Sequence, residues 1–146
     1  MGESISFVEH FPVKNVILNH DTYNDLEQEL IFLLKEKGIN YLQNVTSISA
    51  ADLQLQFLNH TMYDNENDNS NVIYLELGKL KTLFMGDAST KVETDLLKQY
   101  QLSDIDILKV GHHGSKTSTS RKLIDVITPQ YALISVGKNN RYGQSR

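Results

Sequence analysis

Three short loops hold most of the residue types in this chain that could do chemistry. Gly86-Asp87-Ala88 follows the apolar run LKTLFM, Gly111-His112-His113-Gly114-Ser115-Lys116-Thr117 follows DIDILKV, and Gly137-Lys138-Asn139-Asn140-Arg141-Tyr142-Gly143 follows a third strand-like run. A carboxylate at the end of an apolar strand is awkward to bury unless something positive meets it. Paired histidines between glycines are unusual: glycine lets the backbone come close to something, and imidazole is the commonest protein metal ligand. The chain has no cysteine, so zinc-thiolate, disulfide and cysteine-nucleophile chemistry are out and any metal must be held by His, Asp or Glu. Each loop also has a plainer reading. Asp87 could cap the next helix, His112 and His113 could be a hydrogen-bonded loop pair, and the third loop could be a surface turn. A phosphate loop is excluded, because its glycines need four residues between them and Gly111 and Gly114 have two.

The elements that must position these loops can be read from periodicity. Val13–Asn19 reads as a buried strand. A helix follows at about Asn24–Lys37, with Leu26, Leu30, Leu33 and Leu34 on one face and Gly38 as its stop. Ile39–Gln43 and Val45–Ser49 could be short strands, and the alternation of Leu53, Leu55 and Phe57 marks another. Tyr63–Asn71 is a polar loop. Val72–Leu77 and Leu80–Met85 flank Gly78-Lys79 as a hairpin. Thr90–Tyr100 and Ser120–Ile127 read as helices, Ile105–Val110 and Tyr131–Val136 as strands, and Gly137–Arg146 as a turn. Strand pairs followed by strand–helix alternation predict a layered α/β (α+β) domain with a mixed sheet.

Composition narrows the class. The chain has 146 residues, enough for one domain of ordinary size, and its 40% hydrophobic and 22% charged residues suit a soluble globular fold. Lys+Arg 14 against Asp+Glu 18 argues against a general electrostatic grip on nucleic acid, although a local basic patch or a metal could still handle phosphate. No apolar run approaches the roughly 20 residues of a transmembrane helix, and no signal peptide opens the chain.

Taken in order, strand–GDA, helix, strand–GHHGS, helix, strand–GxxNRYG resembles the metallo-β-lactamase-like domain of ComEC-type competence proteins, the membrane proteins through which transformable bacteria import single-stranded DNA. The resemblance is strongest over residues 83–88, 106–120 and 132–143, and weaker over NDNSNVIYLEL at 67–77 and over Gly2–Asp21. It implies an αββα sandwich, with residues 1–146 as a single partial domain, N-terminally truncated. Asp87 matches a metal-binding or metal-bridging aspartate, and His112 and His113 match a pair of which at least one is a ligand, with His113 slightly favoured. Asp87 and His113 are thereby the expected catalytic residues. Asn69, Ser70 and Ser115 match polar positions facing the site, and Lys116, Asn140 and Tyr142 are candidates for phosphate contacts. The implied cofactor is zinc or manganese, weakly bound or absent here, and the implied reaction is phosphodiester hydrolysis by a metal-activated water. The implied partner is single- or double-stranded DNA in the parent protein, with this domain on the outer side of the cytoplasmic membrane and the fragment itself soluble.

The departures from that pattern are as informative as the match. The family's principal motif, H-x-H-x-D-H, is absent: the five histidines stand at 10, 20, 60, 112 and 113, and His20-Asp21 reads as a loop end. A leading strand resembling L-D-V-G-Q-G-D is absent too, and Met1-Gly2-Glu3-Ser4 looks like the residues that follow the motif. Asp87, His112 and His113 supply three ligands at most, where a di-metal hydrolase needs about six, so the fragment is expected to be inactive alone. Its sheet is expected to expose apolar face and edge, favouring a homodimer or strand exchange. Three alternatives stand beside this reading: a non-catalytic nucleic-acid-binding module using Lys116, Arg121, Lys122 and Arg141, a degenerate truncated gene product, and another metallo-β-lactamase-fold hydrolase.

Overall fold

The structure is a computed structural model that describes residues 2–18 and 23–136. His20-Asp21 and the third loop, with Asn140, Arg141 and Tyr142, lie outside the described residues. The chain divides into two compact units, Met1–Val45 and Thr46–Arg146.

The first unit is built from α1 (Gly2–His10), β1 (Asn15–Leu18), α2 (Asp25–Glu36) and β2 (Asn40–Gln43). Strands β1 and β2 pair in parallel, which requires a crossover, and α2 supplies it. The bounds of α2 are set by its ends. Asn24 Oδ1 accepts the Glu27 N–H while Glu27 Oε2 accepts the Asn24 N–H, a reciprocal cap. Gly38, at φ +65°, adopts the left-handed conformation that stops the helix. Leu30, Ile31 and Leu34 of α2 are buried with Val8 and Leu18. Helix α1 carries no strong apolar stripe, and periodicity did not predict it.

The second unit contains β3 (Ser47–Ala50), β4 (Leu53–Phe57), β5 (Ile73–Leu77), β6 (Leu80–Phe84), α3 (Thr90–Gln99), β7 (Ile107–Lys109), α4 (Arg121–Ile127) and β8 (Tyr131–Leu133). The six strands form one sheet in sequence order, antiparallel from β3 to β6 and parallel from β6 to β8. This is the mixed α/β architecture expected of the fold. The hairpin turns at Gly78, φ +60°, as the Gly-Lys signal predicted. Strands β7 and β8 are shorter than the apolar runs that announced them, because only three residues of each find parallel partners.

Leu83 and Leu108 stand opposite each other in the register, on the face that α3 and α4 cover with Val92, Leu96, Leu123 and Ile127. All six side chains are buried, and this is the core of the unit. On the other face, Leu77 and Leu80 pair across the hairpin and are exposed, as are Phe84, Tyr131 and Leu133.

This asymmetry sets the stability expected of single substitutions. Leu83→Ala should cost about 2–5 kcal/mol, as a cavity in a closed core does. Leu80→Ala, two strand positions and more from that core on the open face, should cost about 1 kcal/mol or less. Urea denaturation of both variants checks the contrast.

Candidate active site

Parallel pairing of β6 with β7 puts the turns that follow them side by side. The turn after β6 is sharp. Gly86 sits at φ +57°, and a Cβ there would lie 2.8 Å from the Ser70 Cβ and 3.0 Å from the Asn71 carbonyl oxygen. Only glycine fits against the polar segment before β5. That segment grips the turn: the Asp87 N–H donates to Ser70 Oγ at 3.1 Å, and the Ser89 N–H donates to Asp68 Oδ1 at 2.9 Å. Asp68 is buried, and Ser89, not Asp87, caps α3. The capping reading of Asp87 is thereby corrected, and its carboxylate is left half-exposed beside the second loop.

The polar segment is itself held in shape. Asn59 Nδ2 donates to the carbonyls of Asp68 and Ser70 at 2.8 and 2.9 Å. The Asn69 carboxamide accepts from Tyr63 N and donates to Tyr63 O, so it is engaged within its own loop. The Tyr63 hydroxyl donates to Asp95 Oδ2 on α3 at 3.2 Å. Burial pushes the Tyr63 phenol up from its usual range, and the hydrogen bond from Lys98 holds Asp95 below the usual carboxylate range. What reads in sequence as a solvated loop is a braced one, with a single short helical turn at Glu66–Asn69.

In the second loop, His112 and His113 both adopt left-handed backbone, at φ 43° and 52°. For a non-glycine residue this costs roughly 1–2 kcal/mol each. Three contacts hold the conformation. The His112 N–H donates to the Gly86 carbonyl at 2.9 Å, tying one site loop to the other. Ser118 Oγ donates to the Gly111 carbonyl at 2.8 Å. Gly111 is so closely surrounded that a Cβ would meet Ala88 O, Met85 Cβ and Ser118 Cβ, each at 3.3 Å. Ser115 Oγ is engaged by Thr117 within the turn, and Lys116 is exposed.

The outcome is a meeting of two side chains. His113 Nε2 lies 3.9 Å from Asp87 Oδ1, while His113 Nδ1 lies 2.9 Å from the Ser135 carbonyl just after β8. A carbonyl only accepts, so Nδ1 carries a proton, and Nε2 is the ring nitrogen left facing the carboxylate. One ion with bonds of about 2.0–2.2 Å can reach both atoms, so the donors suit a divalent metal in kind. They do not suit it in number. Among the described residues no group of three or more His, Asp or Glu is arranged to hold a metal ion, and His112 does not join the pair. Of the basic residues considered for phosphate, Arg121 is paired with Asp125 at 2.7 Å, and Lys122 is exposed.

One residue that positions the site was overlooked in the sequence. Glu93 of α3 is 1% exposed, and its carboxylate accepts the backbone N–H groups of Thr119 and Ser120, where α4 begins. A signal for it existed. Glu93 stands among Val92, Leu96 and Leu97 on the apolar stripe of α3, where a charged residue must find buried partners.

Comparison with known proteins identifies a family and several relatives. The sequence pattern of the Metallo-beta-lactamase superfamily matches residues 2–138. ComE operon protein 3 of Bacillus subtilis (strain 168) is 31% identical over 147 residues, covering 97% of this chain and 19% of that protein. Recombination protein 2 of Haemophilus influenzae is 45% identical over 75 residues, 51% of this chain and 9% of that protein. Competence protein ComA of Neisseria gonorrhoeae is 34% identical over 93 residues, 62% of this chain and 14% of that protein. The chain therefore spans a fifth or less of the length of these curated relatives.

The tight seating of the first turn yields a direct test. Gly86→Ala should destabilise the second unit by about 2 kcal/mol or more, from the left-handed backbone and the clash with Ser70 together. Thermal unfolding followed by circular dichroism measures it.

Proposed function

The chain belongs to the metallo-beta-lactamase superfamily, whose members generally bind divalent metals such as zinc, and on that premise we propose that it works within a ComEC-type DNA-uptake protein as part of a metal-dependent phosphodiesterase site. The observation that carries the reading is the approach of Asp87 Oδ1 and His113 Nε2 to 3.9 Å, at the end of the sheet where β6 and β7 both release their loops. The names of two relatives, a ComE operon protein and a competence protein, support the biological setting. Single- or double-stranded DNA is the substrate class that this setting implies.

Asp87 and His113 act here as one oxygen donor and one nitrogen donor, preset by neighbours rather than by the metal. Ser70 fixes the backbone of Asp87, and the Ser135 carbonyl fixes the tautomer of His113. Zinc and manganese both suit such a pair. Two donors do not complete a hydrolytic centre, so no hydrolytic step is assigned to these residues alone. A full centre needs ligands beyond the described residues, and the isolated chain is expected not to hydrolyse DNA. Ser115, Lys116, Asn140 and Tyr142 are kept as candidate contacts to the DNA backbone. No described helix is long and apolar enough to cross a membrane; a membrane-held parent with this region on its outer side is part of the proposal. So is self-association through the face carrying Leu77, Leu80 and Phe84, since exposed apolar side chains gain by burial against another surface.

Calorimetric titration with zinc and with manganese tests the reading. Binding should be weak, with Kd of about 10 µM or above. Asp87→Ala and His113→Ala should each weaken it about tenfold or more, while His112→Ala leaves it unchanged. Metal binding that ignores both Asp87→Ala and His113→Ala would overturn the assignment, and DNA hydrolysis by the isolated chain would overturn the claim that the centre is incomplete.

A further inference from the structure

A second candidate site lies at the other end of β6. There a cavity of about 260 Å³ opens among β4, β5, the start of β6 and the segment after α3, lined by Gln56, Tyr74, Lys81, Tyr100, Gln101 and Ser103. Buried Leu58 and Leu102 supply its apolar wall. The register explains the convergence. Gln56 and Tyr74 stand opposite each other on β4 and β5, and Lys81 stands opposite Glu76, two residues along from Tyr74 on the same face. The cavity is separate from the Asp87–His113 pair: Lys81 is the second residue of β6, whereas Asp87 follows its end.

The state of its polar groups is unusual for a surface crevice. The Tyr74 hydroxyl donates to Glu76 Oε2 at 3.2 Å, and burial pushes its phenol up from the usual range. Among the described residues, the side chains of Gln56, Lys81, Tyr100, Gln101 and Ser103 make no hydrogen bond or ion pair. Lys81 is half-buried and its ammonium forms no ion pair, although the carboxylates of Glu76, opposite it on β5, and Asp106, which accepts its backbone N–H, stand beside it. Two phenol rings, two carboxamides, a hydroxyl and one cation thus meet in one cavity, and of these only the Tyr74 hydroxyl is engaged, with Glu76. Aromatic rings take a flat heterocycle by stacking, and carboxamides match the donor–acceptor edge of a base. An ammonium matches a phosphate. An inorganic anion alone would leave the rings and carboxamides unused.

We propose that this cavity is a nucleotide subsite, taking one base and its phosphate from single-stranded nucleic acid or from a free nucleotide. It needs no metal and uses neither Asp87 nor His113, so it stands or falls independently of the phosphodiesterase reading.

The test is a nuclear magnetic resonance titration of the full chain in EDTA, once with thymidine monophosphate and once with an oligothymidylate of about eight residues. Shifts should concentrate on Gln56, Lys81 and residues 100–103. Lys81→Met should weaken oligonucleotide binding about five- to tenfold, and Gln101→Ala about threefold. Gln101 is exposed, so its variant should keep the native unfolding midpoint. Matching shifts with both probes mean that the subsite accepts a free nucleotide, and shifts with the oligonucleotide alone mean that it reads a strand. The proposal is overturned by no shift with either probe, by shifts centred on residues 86–88 and 111–116, or by unchanged affinity in both variants.

Discussion

Parallel pairing of β6, β7 and β8 is the constraint on which the rest depends. Parallel neighbours need crossover helices, and α3 and α4 are those crossovers. The same pairing delivers the ends of all three strands to one edge of the sheet. Asp87 follows β6, His113 follows β7 and the Ser135 carbonyl follows β8, so a contact between residues far apart in sequence needs no long loop. The core supports the arrangement from beneath, with Leu83 and Leu108 side by side under both turns.

On that frame, the site loops are held by buried polar contacts rather than by apolar packing. Two buried carboxylates do most of this. Asp68 receives the Ser89 N–H at the start of α3, and Glu93 receives two N–H groups at the start of α4. Each satisfies helix-terminal donors that would otherwise lack partners, and each fixes a loop that leads to Asp87 or His113. The left-handed backbone at His112 and His113 is the cost of this geometry, and the bond from His112 N–H to Gly86 O offsets part of it. Strain kept at a candidate site while the surrounding structure over-determines it is the usual companion of a functional role.

Much of this could be read from the residues. The hairpin at Gly78, the helix closed by Gly38 and the alternation of strand and helix after residue 90 all have local causes, because turn chemistry and periodicity act over a few residues. The GDA and GHHGS loops stood out for the same reason. What escaped were features decided by distant partners. Helix α1 has a weak stripe, and nothing in its own sequence demands it. The brace around Asn59, Asp68 and Asn69 depends on atoms up to 21 residues away, as in Asp68 with Ser89, and composition alone shows a polar loop. The exact partner of a histidine is likewise tertiary: sequence offered His112 and His113 on nearly equal terms, and the fold brings His113 to Asp87.

The central claim is that His113, with its Nδ1–H held by Ser135, presents Nε2 as a metal donor beside Asp87. Nitrogen-15 spectroscopy of the histidine rings during a zinc titration tests it most directly, because the two ring nitrogens report separately. The account predicts that the Nε2 resonance of His113 moves on coordination while its Nδ1 remains protonated, and that the same titration of Asp87→Ala leaves it nearly still. A response confined to His112 or to the other histidines, with His113 unmoved, would contradict it.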